Sequence, residues 1–324
     1  MMSTGVTGSG RGRPEPIRAV PVRHPGRWVA VAVLVVLALM FAHMLVTNKA
    51  FQWTFLFDNI LSAPVVRGAV TSIELTVLAM IIGIALGVVL AVMRLSPNPI
   101  LAGAAWVYVW FFRGVPRLVL CVLFGNLGIL YSRLEFGLPF DHQLGALFGI
   151  DLNARLFGVN AVTLLSGFVA GLLALAMSEG AYMAEVVRGG IQSVDPGQAE
   201  AAQALGMRRP LLLRRIVLPQ ALRVIVPPTG NETIAMLKDT SLVAYVPVTN
   251  ELFFQLQHIG ARTYAIFPML VAACIWYLAM TSVLMVGQHF LEKRFSRGHG
   301  PRAIRLRGAR SAGAGGAVGT EVDS

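Results

Sequence analysis

Four stretches of this chain, Trp28 to Val46, Leu75 to Met93, Leu156 to Ser178 and Thr263 to Phe290, contain no Lys, Arg, Asp or Glu. They constrain the fold more than any other feature. Roughly 20 helical residues cross the ~30 Å hydrocarbon layer of a bilayer, and lipid offers no partner to an unpaired backbone amide. The expectation for each run is a membrane-spanning helix. Composition agrees, since 56% of the 324 residues are hydrophobic, 13% are charged and the mean hydropathy is +0.68. A soluble globular protein is excluded. Two further runs carry polar residues: Ile100 to Ser132 is interrupted by Arg113-Gly114-Val115-Pro116-Arg117, and Val224 to Val248 holds Glu232, Lys238 and Asp239. Polar groups at this depth are tolerated where they face protein or a watery cavity. The fold class expected is an all-α polytopic membrane bundle of about six transmembrane helices.

Arginine placement sets the expected orientation. Residues 1–27 carry Arg11, Arg13, Arg18, Arg23 and Arg27, and residues 296–324 carry Arg297, Arg302, Arg305, Arg307 and Arg310, just after Lys293 and Arg294. Both basic tails read as disordered and cytoplasmic. Six spans then place Arg188, Arg208, Arg209, Arg214, Arg215 and Arg223 on the cytoplasmic side as well, and leave the less basic Thr47 to Arg67, Arg133 to Arg155 and Thr249 to Arg262 outside. The net charge of +11 is an insertion signal rather than a nucleic-acid footprint. The first run is longer than a signal-peptide core, and the following MLVTNKAFQW offers no small-x-small cleavage site, so residues 28–47 read as an anchor helix.

Enzyme chemistry finds no foothold. Cys121 and Cys274 lie far apart in apolar runs, the six histidines are isolated, and no GxxxxGK[ST] phosphate loop occurs. No cofactor, metal ligand or catalytic residue is expected on this chain.

The organised polar segment is residues 195–219. Asp195-Pro196-Gly197-Gln198 reads as a helix start, with Asp195 as N-cap, Pro196 at the first helical position and Gln198 closing a capping box. The helix places Ala199, Ala202 and Leu205 along one side and stops at Gly206, which can adopt a left-handed conformation. Pro210 starts a second short helix that Pro219 ends or bends. A basic helix on anionic lipid and a docking knob for a cytoplasmic partner both fit this composition. A DNA-reading element does not, being short and tethered at the bilayer.

The segment EAAQALGMRRPLLLRRIVLP resembles the EAA loop of ATP-binding cassette importer permeases, with Glu200, Ala201, Ala202, Gly206, Ile216, Leu218 and Pro219 at the family's positions. FFRGVP (Phe111 to Pro116), YMAEVVRGGIQSVDPGQ (Tyr182 to Gln198), LPQALR (Leu218 to Arg223) and NETIAMLKDTSL (Asn231 to Leu242) are similar to the branch that imports polar amino acids. The resemblance covers residues 67–295 and implies a five-helix core, here preceded by the anchor helix. It implies that Glu200 and Gly206 give contact and shape to coupling helices seated in an ATPase subunit, while Ala201 and Ala202 keep the surface small. Further implied partners are a dimer of ATPase subunits holding ATP and Mg, an extracytoplasmic amino-acid-binding protein, and a second permease as homodimer or heterodimer. The setting is the lipid of a prokaryotic cytoplasmic membrane.

Membrane-depth polar residues supply the candidate pathway. Pro227, Pro228 and Gly230 should break the helix, beyond which Asn231, Glu232, Lys238 and Asp239 fall on neighbouring stripes of one face, with Ser241. Lys238, Asp239, Thr240 and Ser241 either bind a zwitterionic solute or, for Lys238 and Asp239, satisfy each other or a neighbouring helix and hold the packing. Arg113 is equally open, and Glu185 is spaced to pair with Arg188. Where many relatives carry a leucine after FRGxP and then a glutamine, this chain has Arg117 and Leu120. The added cation of Arg117 gives an expectation of acidic cargo. The rival class is a secondary transporter or channel using Glu232, Lys238 and Asp239 with no ATPase; a membrane scaffold that docks a partner without transport is the third.

Overall fold

The computed structural model describes residues 25–130, 133–137, 141–149, 155–160, 162, 167–246 and 248–295. Of the two basic tails, everything before residue 25 and after residue 295 lies outside the described residues. The chain divides into two compact units, residues 1–51 and 52–324. The first holds α1 (Pro25–Thr47) and a 3-10 turn, Lys49–Phe51. Helix α1 is apolar on every side and none of its most apolar stretch is buried within the protein, as suits a helix solvated by lipid.

The second unit runs α2 (Trp53–Asn59), α3 (Ala63–Arg94), α4 (Pro99–Gly114), α5 (Arg117–Leu130), β1 (Arg133–Gly137), α6 (Asp141–Phe148), β2 (Arg155–Asn160) and α7 (Gly167–Gln192). It continues through α8 (Pro196–Ala204), α9 (Arg209–Leu212), α10 (Leu218–Asp239), α11 (Leu252–Thr263) and α12 (Ile266–Phe295). Helices α1, α3, α7 and α12 are long and apolar enough to cross a bilayer, and α4 with α5 reach that length and apolarity only as a pair, bent by 103° at the break between them. The sixth expected span is α10, whose 22 residues reach about 33 Å but carry too many polar groups to qualify on composition.

Three expectations need correction. The run from Leu156 to Ser178 is not one span: residues 155–160 form β2, antiparallel to β1, and the helix occupies Gly167–Gln192. Gly158 and the β-branched residues around it favour a strand over a helix. The helix extends past Ser178 because Glu179, Glu185 and Arg188 find partners in the bundle. Pro227, Pro228 and Gly230 do not break α10, which is continuous. Side chains attend to the carbonyls around the prolines: the Gln288 carboxamide donates to Pro227 O at 3.0 Å and the Thr229 hydroxyl to Ile225 O at 2.8 Å. Gly230 leaves the space that the Gln288 side chain occupies. Nor does the second limb of the 195–219 loop end at Pro219. It enters α10 through a π-helical turn, Leu213–Val217. Pro219 has no N–H for the preceding turn, and the wider turn instead bonds Leu218 N to Leu213 O.

Close packing of α3 on α7 organises the bundle. The sequence Gly83-Ile84-Ala85-Leu86-Gly87 places two glycines on one face of α3. A Cβ at Gly83 would lie 2.7 Å from Cβ and Cγ of Glu179, and one at Gly87 would lie 2.9 Å from Ala184 N, so only glycine allows this approach. The matched order of these contacts makes α3 and α7 parallel. Arg94 and the 195–219 loop therefore share one end, the loop end, and α11 lies at the other.

Helix α11 is too short to cross a bilayer. Its N-cap is Glu251, a fully buried carboxylate that accepts from Phe253 N (2.7 Å), Ser72 Oγ (2.8 Å) and Tyr277 Oη (2.6 Å). One side chain thus ties α11 to α3 and α12. Glu251→Ala leaves buried donors unmet and is expected to destabilise the bundle by on the order of 3 kcal/mol, read as a lower melting temperature in detergent, with Glu251→Gln recovering part of the loss.

Candidate functional site

The bend between α4 and α5 places Arg117 at the first position of α5, pointing into the bundle. Its guanidinium donates to Asp239 Oδ2 at 2.5 Å and Glu179 Oε2 at 2.9 Å, with Glu232 Oε2 3.7 Å away. The face of Tyr182 lies 4.8 Å from its central carbon. One cation thus meets carboxylates from α7 and α10, two of them one pair of turns apart on the same stripe. Glu179 is fully buried, and its second oxygen, Oε1, has no hydrogen-bond partner among the described residues.

Of the expected pathway residues, Arg117, Glu232 and Asp239 come together. Arg117 is not a free cation, so its expected role in attracting an acidic solute has no basis in the geometry. Lys238 and Asp239 do not satisfy each other: Asp239 pairs with Arg117 of the neighbouring helix α5, the other arrangement expected for it, while Lys238 is exposed. Asn231 lies on the other stripe, where Gln288 donates to its Oδ1 at 3.2 Å. Thr240 is buried and its hydroxyl donates to Leu237 O, and Ser241 donates to Lys238 O, so both hydroxyls serve the helix end. Arg113 lies 5.3 Å from the centroid of the same Tyr182 ring and lines a cavity of about 500 Å³ with Arg94, Trp106, Trp110 and Glu185. Glu185 pairs with Arg188 at 2.6 Å, as its spacing predicts, and with Arg94 at 3.5 Å. Sequence reading missed Glu179, although an acid one residue past an uncharged run is a visible signal, and it gave Tyr182 no role.

The 195–219 loop folds on a small core of its own, with Ala202, Leu212 and Val217 buried. Asp195 caps α8 by accepting from Gly197 N at 2.8 Å, rather than from Gln198. Gly206 has φ +77° and closes α8, with Met207 N bonded to Ala202 O and Gly206 N to Gln203 O, the paired bonds of a glycine-terminated helix. Glu200, Ala201, Gly206, Leu218 and Pro219 are exposed, and Ile216 is half-buried. Ala202 belongs to the loop's interior instead of its outer surface. Leu205, at 84% exposure, projects beside Gly206 and away from the small core.

A mainly helical membrane bundle with a capped, exposed loop leading directly into a polar helix is an architecture that suits a transport permease. Residues 83–297 match the family described as binding-protein-dependent transport system inner membrane component. The chain is 44% identical over 291 residues to the arginine transport system permease protein ArgU of Corynebacterium glutamicum, covering 90% of this chain and 87% of that protein. It is 30% identical to the probable glutamine ABC transporter permease protein GlnM of Bacillus subtilis, over 76% of this chain and 99% of that one. The crystal structure of an amino acid ABC transporter with histidines superposes with a TM-score of 0.55 at 32% identity, covering 71% of this chain and 94% of its own. The chain belongs to the family of binding-protein-dependent transport system inner membrane components. It is a non-catalytic, polytopic inner-membrane permease subunit of an ATP-binding cassette importer, working with a separate ATPase and a substrate-binding protein. The rival reading as a secondary transporter or channel has no support in these comparisons.

Arg117→Ala leaves the buried Glu179 without its cation. It is expected to cost about 3–5 kcal/mol of stability, measured as thermal unfolding in detergent, and the double replacement Arg117→Leu with Glu179→Leu is expected to regain most of it.

Proposed function

We propose that this permease imports a cationic amino acid of the arginine type. The observation carrying this reading is the carboxylate excess at Arg117: three acids surround one guanidinium, and Glu232 and Asp239 are about a third exposed where they meet it. Arg117 serves as the fixed counter-charge that holds Glu232 and Asp239 in register. Their remaining oxygens suit a cationic side chain, and the exposed Lys238 suits the α-carboxylate of the cargo. The name of the 44%-identical relative, an arginine permease, supports the same cargo.

Coupling enters at the loop. Glu200, Ala201, Gly206, Leu218 and Pro219 form a surface for an ATPase subunit, and Ala202 and Ile216 support it from within. Continuity of the second limb with α10 makes one helical lever from that surface to Asp239, so that a shift imposed at the loop reaches the carboxylates. ATP and Mg reside on the ATPase dimer. Two permease chains, identical or sister, enclose the pathway in the lipid bilayer, because one loop serves one of two ATPases. The loop end is cytoplasmic, as are both chain termini, and the binding protein delivers cargo at the other end.

Reconstituted uptake with the ATPase and binding protein tests the reading. Arginine uptake is expected to exceed that of glutamate, to fall about tenfold or more in Asp239→Asn, equivalent to about 1.4 kcal/mol, and to vanish in Gly206→Trp or without the ATPase. Glutamate preferred over arginine, or uptake that persists without the ATPase, overturns it.

A further inference from the structure

We infer that the permease has a second amino-acid site, a reception site near the end opposite the loop, in which Glu74 selects the cationic side chain and Arg67 takes the α-carboxylate. The inference rests on the proposed cationic cargo and extends it to a location outside the Arg117 cluster. Arg67, Thr71 and Glu74 lie on one face of α3, at spacings of four and three residues. Arg67 and Glu74 are both exposed and line the same cavity, of about 580 Å³, together with Asn250 and Gln255. Unlike charges on one helix face ordinarily pair, yet neither side chain has an ion pair or hydrogen bond with any described residue. They stand two helical turns apart, about 10.5 Å of rise, too far for direct contact without reaching along the helix. A long amino acid charged at both ends bridges that interval.

Local bonding leaves the site open to a ligand. The Thr71 hydroxyl donates back to Arg67 O and Gln255 Nε2 donates to Thr249 O, so both are held by the backbone, while Arg67 and Glu74 are not committed. A second cavity of about 400 Å³ shares Thr71, Glu74 and Asn250 and continues to Phe168 and Val248. Glu74 therefore stands where the two spaces meet, one residue before the apolar run that begins at Leu75. An unpaired carboxylate at the hydrocarbon boundary is tolerated facing water and unfavourable facing lipid. The two cavities together give it a wet, cation-attracting position ahead of the mid-membrane cluster. The α-carboxylate is common to all amino acids, whereas only a cationic side chain rewards Glu74, so the two residues divide general recognition from selection.

The test uses the complete transporter with its binding protein and ATPase. Equilibrium binding of radiolabelled arginine to the detergent-solubilised complex, counted beyond the arginine held by the binding protein itself, is expected to show two arginines per permease chain in the wild type and one in Glu74→Gln, with Glu74→Asp keeping the second. In uptake assays with arginine and glutamine in competition, Glu74→Gln is expected to lower the arginine-to-glutamine ratio about tenfold, and Arg67→Gln to weaken both alike. The affinity of the binding protein for the transporter is expected to be unchanged in both variants. Wild-type binding of a single arginine that Glu74→Gln leaves in place overturns the second site while the proposed cargo stands. A loss of binding-protein affinity that accounts for the whole uptake defect overturns it in favour of a docking role. No arginine binding or uptake by the wild type overturns both readings.

Discussion

A guanidinium surrounded by carboxylates from two other helices is the interaction on which the rest of this structure depends. Arg117 stands at the α4–α5 bend, Glu179 in the middle of α7, and Glu232 and Asp239 on α10. Taking any of these charges alone into a low-dielectric interior is costly, whereas taking them in as a hydrogen-bonded group is tolerable. Their mutual need fixes where the bend falls, how α7 faces α10, and which stripe of α10 turns inward. The glycines of α3 serve the same arrangement, because Gly83 is what lets α3 close over Glu179.

The same group explains how a polar helix survives as a membrane element. Helix α10 has two internal prolines and four charges, each of which argues locally against a span. Its inward stripe is met by Arg117, its proline region by Gln288 and Thr229, and its start by the π turn that absorbs Pro219. The product is a continuous helical path from an exposed loop surface to the carboxylates. The segment from Leu213 to Asp239 is thus one unbroken stretch of helical backbone. Glu251 does comparable service at the opposite end, where a single capping carboxylate holds a short helix against two long ones.

Features resting on neighbours in sequence were legible. Asp195 as a helix cap, Gly206 as a left-handed terminator and Arg188 as a partner for Glu185 all follow from spacing within one or two turns, and the structure shows each of them. The expected break at Pro227 and Pro228 failed for the same reason that the others succeeded. Proline's effect is local, whereas the contact that packs this part of the helix, Gln288 on Pro227 O, comes from 61 residues away in the chain. Arg117 was noticed as a departure but its partners were not, because its charge was visible and its three acids were scattered over residues 179, 232 and 239.

Hydropathy and spacing by themselves determined that this chain is a helical membrane protein with a capped polar loop, since lipid forces apolar runs into helices and caps act over a few residues; the importer-permease reading came from the resemblance carried by the EAAQALG segment. Only the tertiary structure decided which polar groups face one another: that Arg117 is neutralised, that Asn231 and Lys238 part company with Glu232 and Asp239, and that the loop's second limb and α10 are continuous. Charge compensation in a membrane depends on distances between helices, and sequence separation carries no record of those distances.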